Sequence, residues 1–347
     1  MPAVLNINAR SPFIVEINEA AQTSSKVELF IWNGTGSAPA TPTHTLSKNV
    51  PSATNLKTTY DVSPFVREFI NFDAPLVLYN TVELTNTNQW CNVRIKRYKN
   101  TATLLTTTDY VAYDGYGYFS QGYNPYNGDF SLPDNSTHYF YNDNLTIPIA
   151  SFRAYITAPS TIKWTNADTS VNTTLISTTG VYNIPIVSEI SDAGNGVTVS
   201  IINATVLNGI KFIPIEECKY DVITIDFVNK CGAWQKAWFF KASSNSIETS
   251  GAEYNMLSAN VNYDVNVGSR KVFNVNGTES IKVNSGWVND DYAETIQQIL
   301  LSERILVDGK PAKMKTKGIE KQKQINTKMI NYQLEFEYAY DIINNTK

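Results

Sequence analysis

The segment Asn331-Tyr332-Gln333-Leu334-Glu335-Phe336-Glu337-Tyr338-Ala339-Tyr340 sets large apolar side chains at every even position and mostly polar ones between them. Only a chain whose side chains alternate between two faces can sort such a pattern, so the stretch predicts a β-strand buried on one side. Upstream, Tyr292, Ile296, Ile299 and Leu300 fall at i, i+4, i+7 and i+8, the stripe of an amphipathic helix. Asp291 and Glu294 have the spacing of a capping box, and a helix of about three turns is expected over 290–303. Asp308-Gly309 predicts a turn, followed by a lysine-rich loop before the terminal strand.

Elsewhere short β-type runs dominate. Strands are expected at 13–17, 26–32, 76–84 and 92–98, with Asn33-Gly34-Thr35-Gly36 closing the second. Pro39, Pro42 and Pro51 predict a long surface loop over 35–55, and Ser63 with Pro64 predicts a short helix over 62–70 capped by the serine. Between 146 and 217 seven short runs recur with turn signals, Gly194-Asn195-Gly196 and Asn208-Gly209 among them, which resembles an immunoglobulin-like sandwich. Further strands are expected at 220–227 and 234–240. The fold class is therefore mainly β: tandem immunoglobulin-like β-sandwich modules and a C-terminal β-rich module carrying one helix. The expected modules are 1–145, with long loops, 146–217, and 218–347, since 347 residues suit two or three domains of roughly 100 to 150 residues.

Charged residues are only 17% of the chain and the net charge is −4, so nothing draws it as a whole to nucleic acid or an anionic membrane. No run of apolar residues is long enough to span a bilayer, and the N-terminus has no basic and apolar leader pattern, so no membrane segment or Sec export is expected. Cys91, Cys218 and Cys231 are far apart with no metal-ligand spacing. They are expected as reduced core residues, a Cys218–Cys231 bridge being the alternative.

Catalytic material is scarce. His44 and His138 are the only histidines, each expected in a loop, which leaves little for Ser/His or Cys/His chemistry. Glu216, Glu217, Asp221 and Asp226 are the densest carboxylates, and Asp226 is expected on an exposed strand face. No phosphate-binding glycine loop opens a helix, and neither Asp290-Asp291 nor Asp129 with Asp134 has an ordered calcium ladder. No enzyme activity, metal or cofactor is expected.

Two clusters bear on partners. Lys310, Lys313, Lys315, Lys317, Lys321, Lys323 and Lys328 face only Glu320 in sequence. A solvated loop or an edge-strand guard is the plain reading, with an acidic partner or passing DNA as the alternatives. Tyr110 to Phe130 interleaves rings, including Tyr113, Tyr116, Tyr118, Phe119, Tyr123 and Tyr126, with four glycines. Subunit interface, ordinary core packing and sugar stacking stay open for them.

Three segments of the last third resemble virion proteins of tailed bacteriophages infecting Bacteroidota, including the short-tailed crAss-like group: Phe227-Val228-Asn229-Lys230-Cys231-Gly232-Ala233-Trp234 with Phe239-Phe240; Gly286-Trp287-Val288 through Tyr292 to Leu300-Leu301-Ser302-Glu303; and Ile330 to Ala339. Tyr60-Asp61-Val62-Ser63-Pro64-Phe65-Val66-Arg67-Glu68-Phe69-Ile70 and Asp114-Gly115-Tyr116-Gly117-Tyr118-Phe119 resemble them too. The resemblance implies a tail ring, hub or baseplate subunit around the genome-ejection channel, assembled in the bacterial host cytoplasm and residing in the virion. The implied partners are copies of itself and other tail proteins, with transient contact to genomic DNA, and no catalytic residue is implied. Interface candidates are the rings at 113, 116, 118, 119, 123 and 126 with Phe65 and Phe69; candidate contacts to DNA or an acidic partner are Lys313, Lys315, Lys317, Lys321 and Lys323. The alternative is a receptor- or carbohydrate-binding tail-tip or fibre protein.

Overall fold

In a computed structural model the structure describes residues 5–72, 82–85, 88–124, 137–141, 150–165, 171–186, 196–201, 204–215, 217, 219–256, 264, 266–320 and 329–344. The chain is mainly β and forms two compact units, 1–216 with 227–237, and 217–226 with 238–347.

The first unit opens with β1 (Leu5–Asn8), β2 (Ile14–Ile17), β3 (Ser24–Trp32), β4 (His44–Asn49), β5 (Thr58–Asp61), α1 (Ser63–Arg67), β6 (Glu83–Leu84), β7 (Trp90–Lys99) and β8 (Thr103–Tyr113). Five of these make a sheet in the order β1-β8-β7-β3-β4, and β2 pairs with β5 beside it. Alternation in β3 turns Val27, Leu29 and Ile31 into a core with Val15, Val93, Ile95 and Cys91, onto which α1 lays Val66. Burial pushes the Cys91 thiol up to about 12, as befits a small hydrophobe rather than a reactive group. β9 (Thr137–Phe140), β10 (Ala150–Ile156), β11 (Ser160–Thr165), β12 (Val171–Ile176), β13 (Gly180–Ile186), β14 (Gly196–Ile201) and β15 (Ala204–Pro214) follow. They form a three-stranded sheet β10-β13-β6 and a five-stranded sheet β12-β11-β14-β15-β9. β6 and β9 come from the first 145 residues, so backbone pairing runs across position 145/146.

β16 (Ile223–Val228) and β17 (Trp234–Phe239) form a hairpin whose tip, 227–237, belongs to the first unit. The second unit contains β18 (Lys241–Asn255), β19 (Arg270–Asn289), a 3-10 turn at Asp290–Tyr292, α2 (Ala293–Leu300), β20 (Ile305–Val307), β21 (Lys310–Met314) and β22 (Met329–Asp341). The sheet order is β17-β16-β20-β21-β22-β19-β18. In β22 Ile330, Tyr332, Leu334, Phe336 and Tyr338 are buried, as the alternation requires, and only Tyr340 among the even positions emerges. Asp308 and Gly309 take φ of 47° and 76°, the paired positive angles of a two-residue turn that joins β20 to β21.

Several local expectations are corrected. The helix over 290–303 narrows to the 3-10 turn and α2; because Asp291 lies inside that turn it cannot cap, and no side-chain cap forms at Asn289 or Tyr292. Ser63 is the first residue of α1 rather than its cap: its N–H donates to Asp61 Oδ1 at 3.1 Å and its hydroxyl to the Ser11 carbonyl at 2.6 Å. The 35–55 loop contains β4, because Thr45 and Leu46 find partners on β3. Asn208-Gly209 is no turn but lies within β15. The lysine loop begins as β21, an interior strand that guards no edge. Gly194-Asn195, the strand expected at 76–84 except its end, and Lys328 lie outside the described residues.

Leu334 is fully buried at the centre of β22, whereas Gln333 beside it is exposed. Leu334→Ala is expected to destabilise the second unit by about 2 to 5 kcal/mol and Gln333→Ala by less than about 0.5 kcal/mol, read from denaturant midpoints.

Candidate functional site

Three of the segments singled out in the sequence, 60–70, 114–119 and 227–234, lie in the first unit around the tip of the β16–β17 hairpin, whereas 286–303 and 330–339 lie in the second unit. Asn229 shapes the tip: its side-chain oxygen accepts the N–H groups of Cys231 at 3.0 Å and Ala233 at 3.1 Å, and its amide nitrogen donates to Gln235 Oε1 at 3.1 Å. Gly232 then takes φ of 71°, and its backbone lies so close to the segment after β8 that a Cβ would stand 2.6 Å from the amide nitrogens of both Asp114 and Gly115. Gly115 is matched to it, since a Cβ there would meet the Lys230 carbonyl at 2.9 Å. With no side chain on either residue, Tyr116 N–H donates to that carbonyl at 2.9 Å.

Cations close the junction. Arg153 on β10 donates to the Gly232 carbonyl and lies 4.8 Å from the Tyr113 ring centre; Lys230 lies 4.4 Å over Tyr118 and Arg10 4.8 Å over Tyr116. Arg67 of α1 pairs with Asp114 at 3.0 Å. Phe72 meets Trp234 edge-on at 5.8 Å. Thus 114–119 packs against both 60–70 and 227–234, segments separate in sequence. Arg153 and Gln235 carry no signal in the sequence, and Asn229 enters it only as one residue of the 227–234 segment; the Asn229-x-x-Gly232 spacing between two apolar runs is the available hairpin signal.

The interface rings separate by environment. Tyr113 and Tyr116 are buried, Tyr118 is half-buried, Phe119 is fully exposed and Tyr123 is 58% exposed. Tyr123 is anchored at its hydroxyl to the Ile14 backbone, and partial burial raises its pKa. Phe65 and Phe69 are half-buried against the core, with the His44 ring 5.0 Å from Phe65. Tyr126 lies outside the described residues. An open cleft of about 530 Å³ is lined by Arg10, Ser11, Pro12, Asp61, Pro64 and Arg67, among others, two guanidinium groups balanced by the acid groups of Asp61 and Glu68.

In the second unit Lys313 pairs with Glu337 at 2.7 Å, and Lys315 with Glu335 at 3.0 Å and Glu248 at 3.6 Å, so glutamates distant in sequence neutralise these two members of the cluster. The hydrogen bond from Lys315 to Glu335 raises the lysine's pKa. Lys317 is exposed, and Lys321 and Lys323 lie outside the described residues. Glu217 is held by Lys241 at 2.7 Å, which lowers its pKa, and Asp226 is buried rather than on an exposed face because both sides of β16 are covered. Glu216 and Cys218 lie outside the described residues. Among the described residues no group of three or more His, Cys, Asp or Glu could hold a metal ion, and no helix is long and apolar enough to cross a membrane.

His44 and His138 sit on strands, not in loops, because each pairs with a neighbouring strand's backbone. His138 is buried, 3.3 Å from the Gln235 amide, and burial lowers its pKa to about 4. No protein-family model matches the chain, and no curated protein matches it.

Gly232→Ala is expected to cost upwards of about 3 kcal/mol, through the left-handed backbone and the blocked approach together. Gly309→Ala shares a positive φ but has open space around it, and is expected to cost about 1 kcal/mol. Denaturation of both variants checks the difference. Because a neutral His138 is favoured in the fold, its contribution is full above the unfolded pKa of about 6.5 and is lost as pH falls toward 4, on the order of 3 kcal/mol in all. His138→Gln is expected to flatten the fall in stability between those pH values, and an unchanged slope would contradict the assignment.

Proposed function

We propose that this chain is a structural subunit of a bacteriophage tail, a ring, hub or baseplate component that sits among copies of itself and other tail proteins around the path by which the genome leaves. The convergence of 60–70, 114–119 and 227–234 carries the reading: three of the five segments that resemble virion proteins meet within the first unit and help to hold it together. A likeness confined to packing residues suits a protein that works by contact, and we assign it no catalytic step. The paired sheets β10-β13-β6 and β12-β11-β14-β15-β9 support an immunoglobulin-like sandwich for 146–217, completed by β6 and β9.

Assembly around a channel asks one face of each copy to fit a different face of the next. Phe119 and Tyr123, with the half-buried Phe65 and Phe69, are the proposed contact rings of the first unit. Contact with passing DNA would rest on Lys317 and on Lys321 and Lys323, since Lys313 and Lys315 are neutralised by glutamates. A carbohydrate-binding tail tip would need the tyrosines of 113–126 as an open stacking platform, and the burial of Tyr113 and Tyr116 favours the interface reading over it.

Mass spectrometry and electron microscopy of purified virions whose genome encodes the chain are expected to find it in the tail in several copies; its absence from the particle would end the proposal. Phe119→Ser is expected to leave stability unchanged to within about 0.5 kcal/mol while reducing incorporation into particles.

A further inference from the structure

β18 runs for 15 residues, all exposed, at one edge of its sheet, and among the described residues it pairs only with β19. The ladder between β22 and β19 ends at Thr278 opposite Asp341, and Ile342 and Ile343 bond only Gly277 and Asn276 beyond it, so 252–255 with 270–273 form a ribbon two strands wide. Such a ribbon is marginal by itself in water. An unpaired edge of this length is a template for another strand unless proline, lysine or a bulge blunts it. From Ser244 to Asn255 β18 has no proline and no lysine. β18 carries one extra residue between Lys241 and Ser244, where β19 steps only from Asn284 to Lys282; the second irregularity, at Ser250/Ala252, adds its extra residue to β19, which steps from Asn276 to Phe273, so β18 itself is regular from Ser244 onward. Ile247 stands in this edge 63% exposed.

We infer that β18 is a self-pairing edge, and that two copies of this chain join antiparallel β18 strands about a twofold axis through Ile247. Charge selects the register. An axis at Ile247 opposes Ile247 with itself, Asn245 with Thr249 and Ser244 with Ser250 of the second copy, all within the regular part of β18. An axis at Glu248 sets two carboxylates face to face, and one between Ser250 and Gly251 opposes Glu248 with Glu253. Opposed like charges destabilise a strand pair, while opposed apolar and oppositely charged side chains support it. The contact is isologous and does not depend on the phage-tail reading, because the dimer is expected in buffer with no virion protein present.

Single cysteines in the intact chain test the register. Opposed residues lie roughly 4.5 to 5.5 Å apart between Cα atoms, within disulfide reach, so Ile247→Cys is expected to give a covalent dimer on mild oxidation. Thr249→Cys, with its two copies about 13 Å apart along the strands, is expected to stay uncoupled, like the parent chain. A mixture of Asn245→Cys and Thr249→Cys is expected to give the heterodimer. Ile247→Lys opposes two ammonium groups and is expected to shift the sedimenting species from dimer to monomer; its site is exposed, so the fold is spared. The inference is overturned if the parent chain sediments as a monomer, if Thr249→Cys couples as readily as Ile247→Cys, or if a dimer forms without an Ile247→Cys disulfide. Virion composition can fail independently of all three outcomes.

Discussion

The backbone contact between Gly232 and the Asp114-Gly115 peptide is the constraint on which the rest of the first unit depends. No residue with a side chain fits at Gly232 or at Gly115, as the 2.6 Å and 2.9 Å distances from their absent Cβ atoms to the facing backbone show. Once the two backbones meet, the Tyr116 amide and the Lys230 carbonyl satisfy each other, and Arg153, Lys230 and Arg10 lie over the rings of Tyr113, Tyr118 and Tyr116. A cation over an aromatic face gains when water is excluded, so the contact that brings the backbones together also strengthens its surroundings. Asn229 is the local cause, because one side chain satisfies two amides of the tip and positions Gln235.

Much of this fold was legible in the sequence wherever one face is buried. β22, β3 and α2 declare themselves by period, because Leu334, Leu29 and Ile296 each fall on a buried row. β18 did not, and the reason is physical: Lys241 to Asn255 is exposed on both faces, so no alternation of apolar and polar residues marks it. β4 was hidden for a similar reason, since its residues between the prolines are mostly exposed and only pairing with β3 fixes them. The burial of Asp226 and His138 was equally unreadable, because it depends on strands distant in sequence closing over them.

The candidate contact residues divide in the same way. From the sequence, Tyr113, Tyr116 and Phe119 are alike: rings between glycines. In the structure Tyr113 and Tyr116 are interior and Phe119 is fully exposed, because the chain turns through Phe119–Gln121 just after the junction. The lysines divide likewise. Lys313 on β21 and Lys315 just after it reach Glu337 and Glu335, partners some twenty residues away that a local charge count does not see. Exposed pairs of this kind contribute little to stability, but they do remove two cations from the surface that a phosphate backbone would meet.

The central claim is that the hairpin tip is an integral part of the first unit and not a loop lying on it. Amide hydrogen exchange of the intact chain tests this most directly at Tyr116, whose N–H donates to the Lys230 carbonyl. The account predicts that this amide exchanges as slowly as those in the middle of β7 and β8, since it opens only when the unit does. Exchange at the rate of an exposed loop, with β7 and β8 still protected, would contradict it.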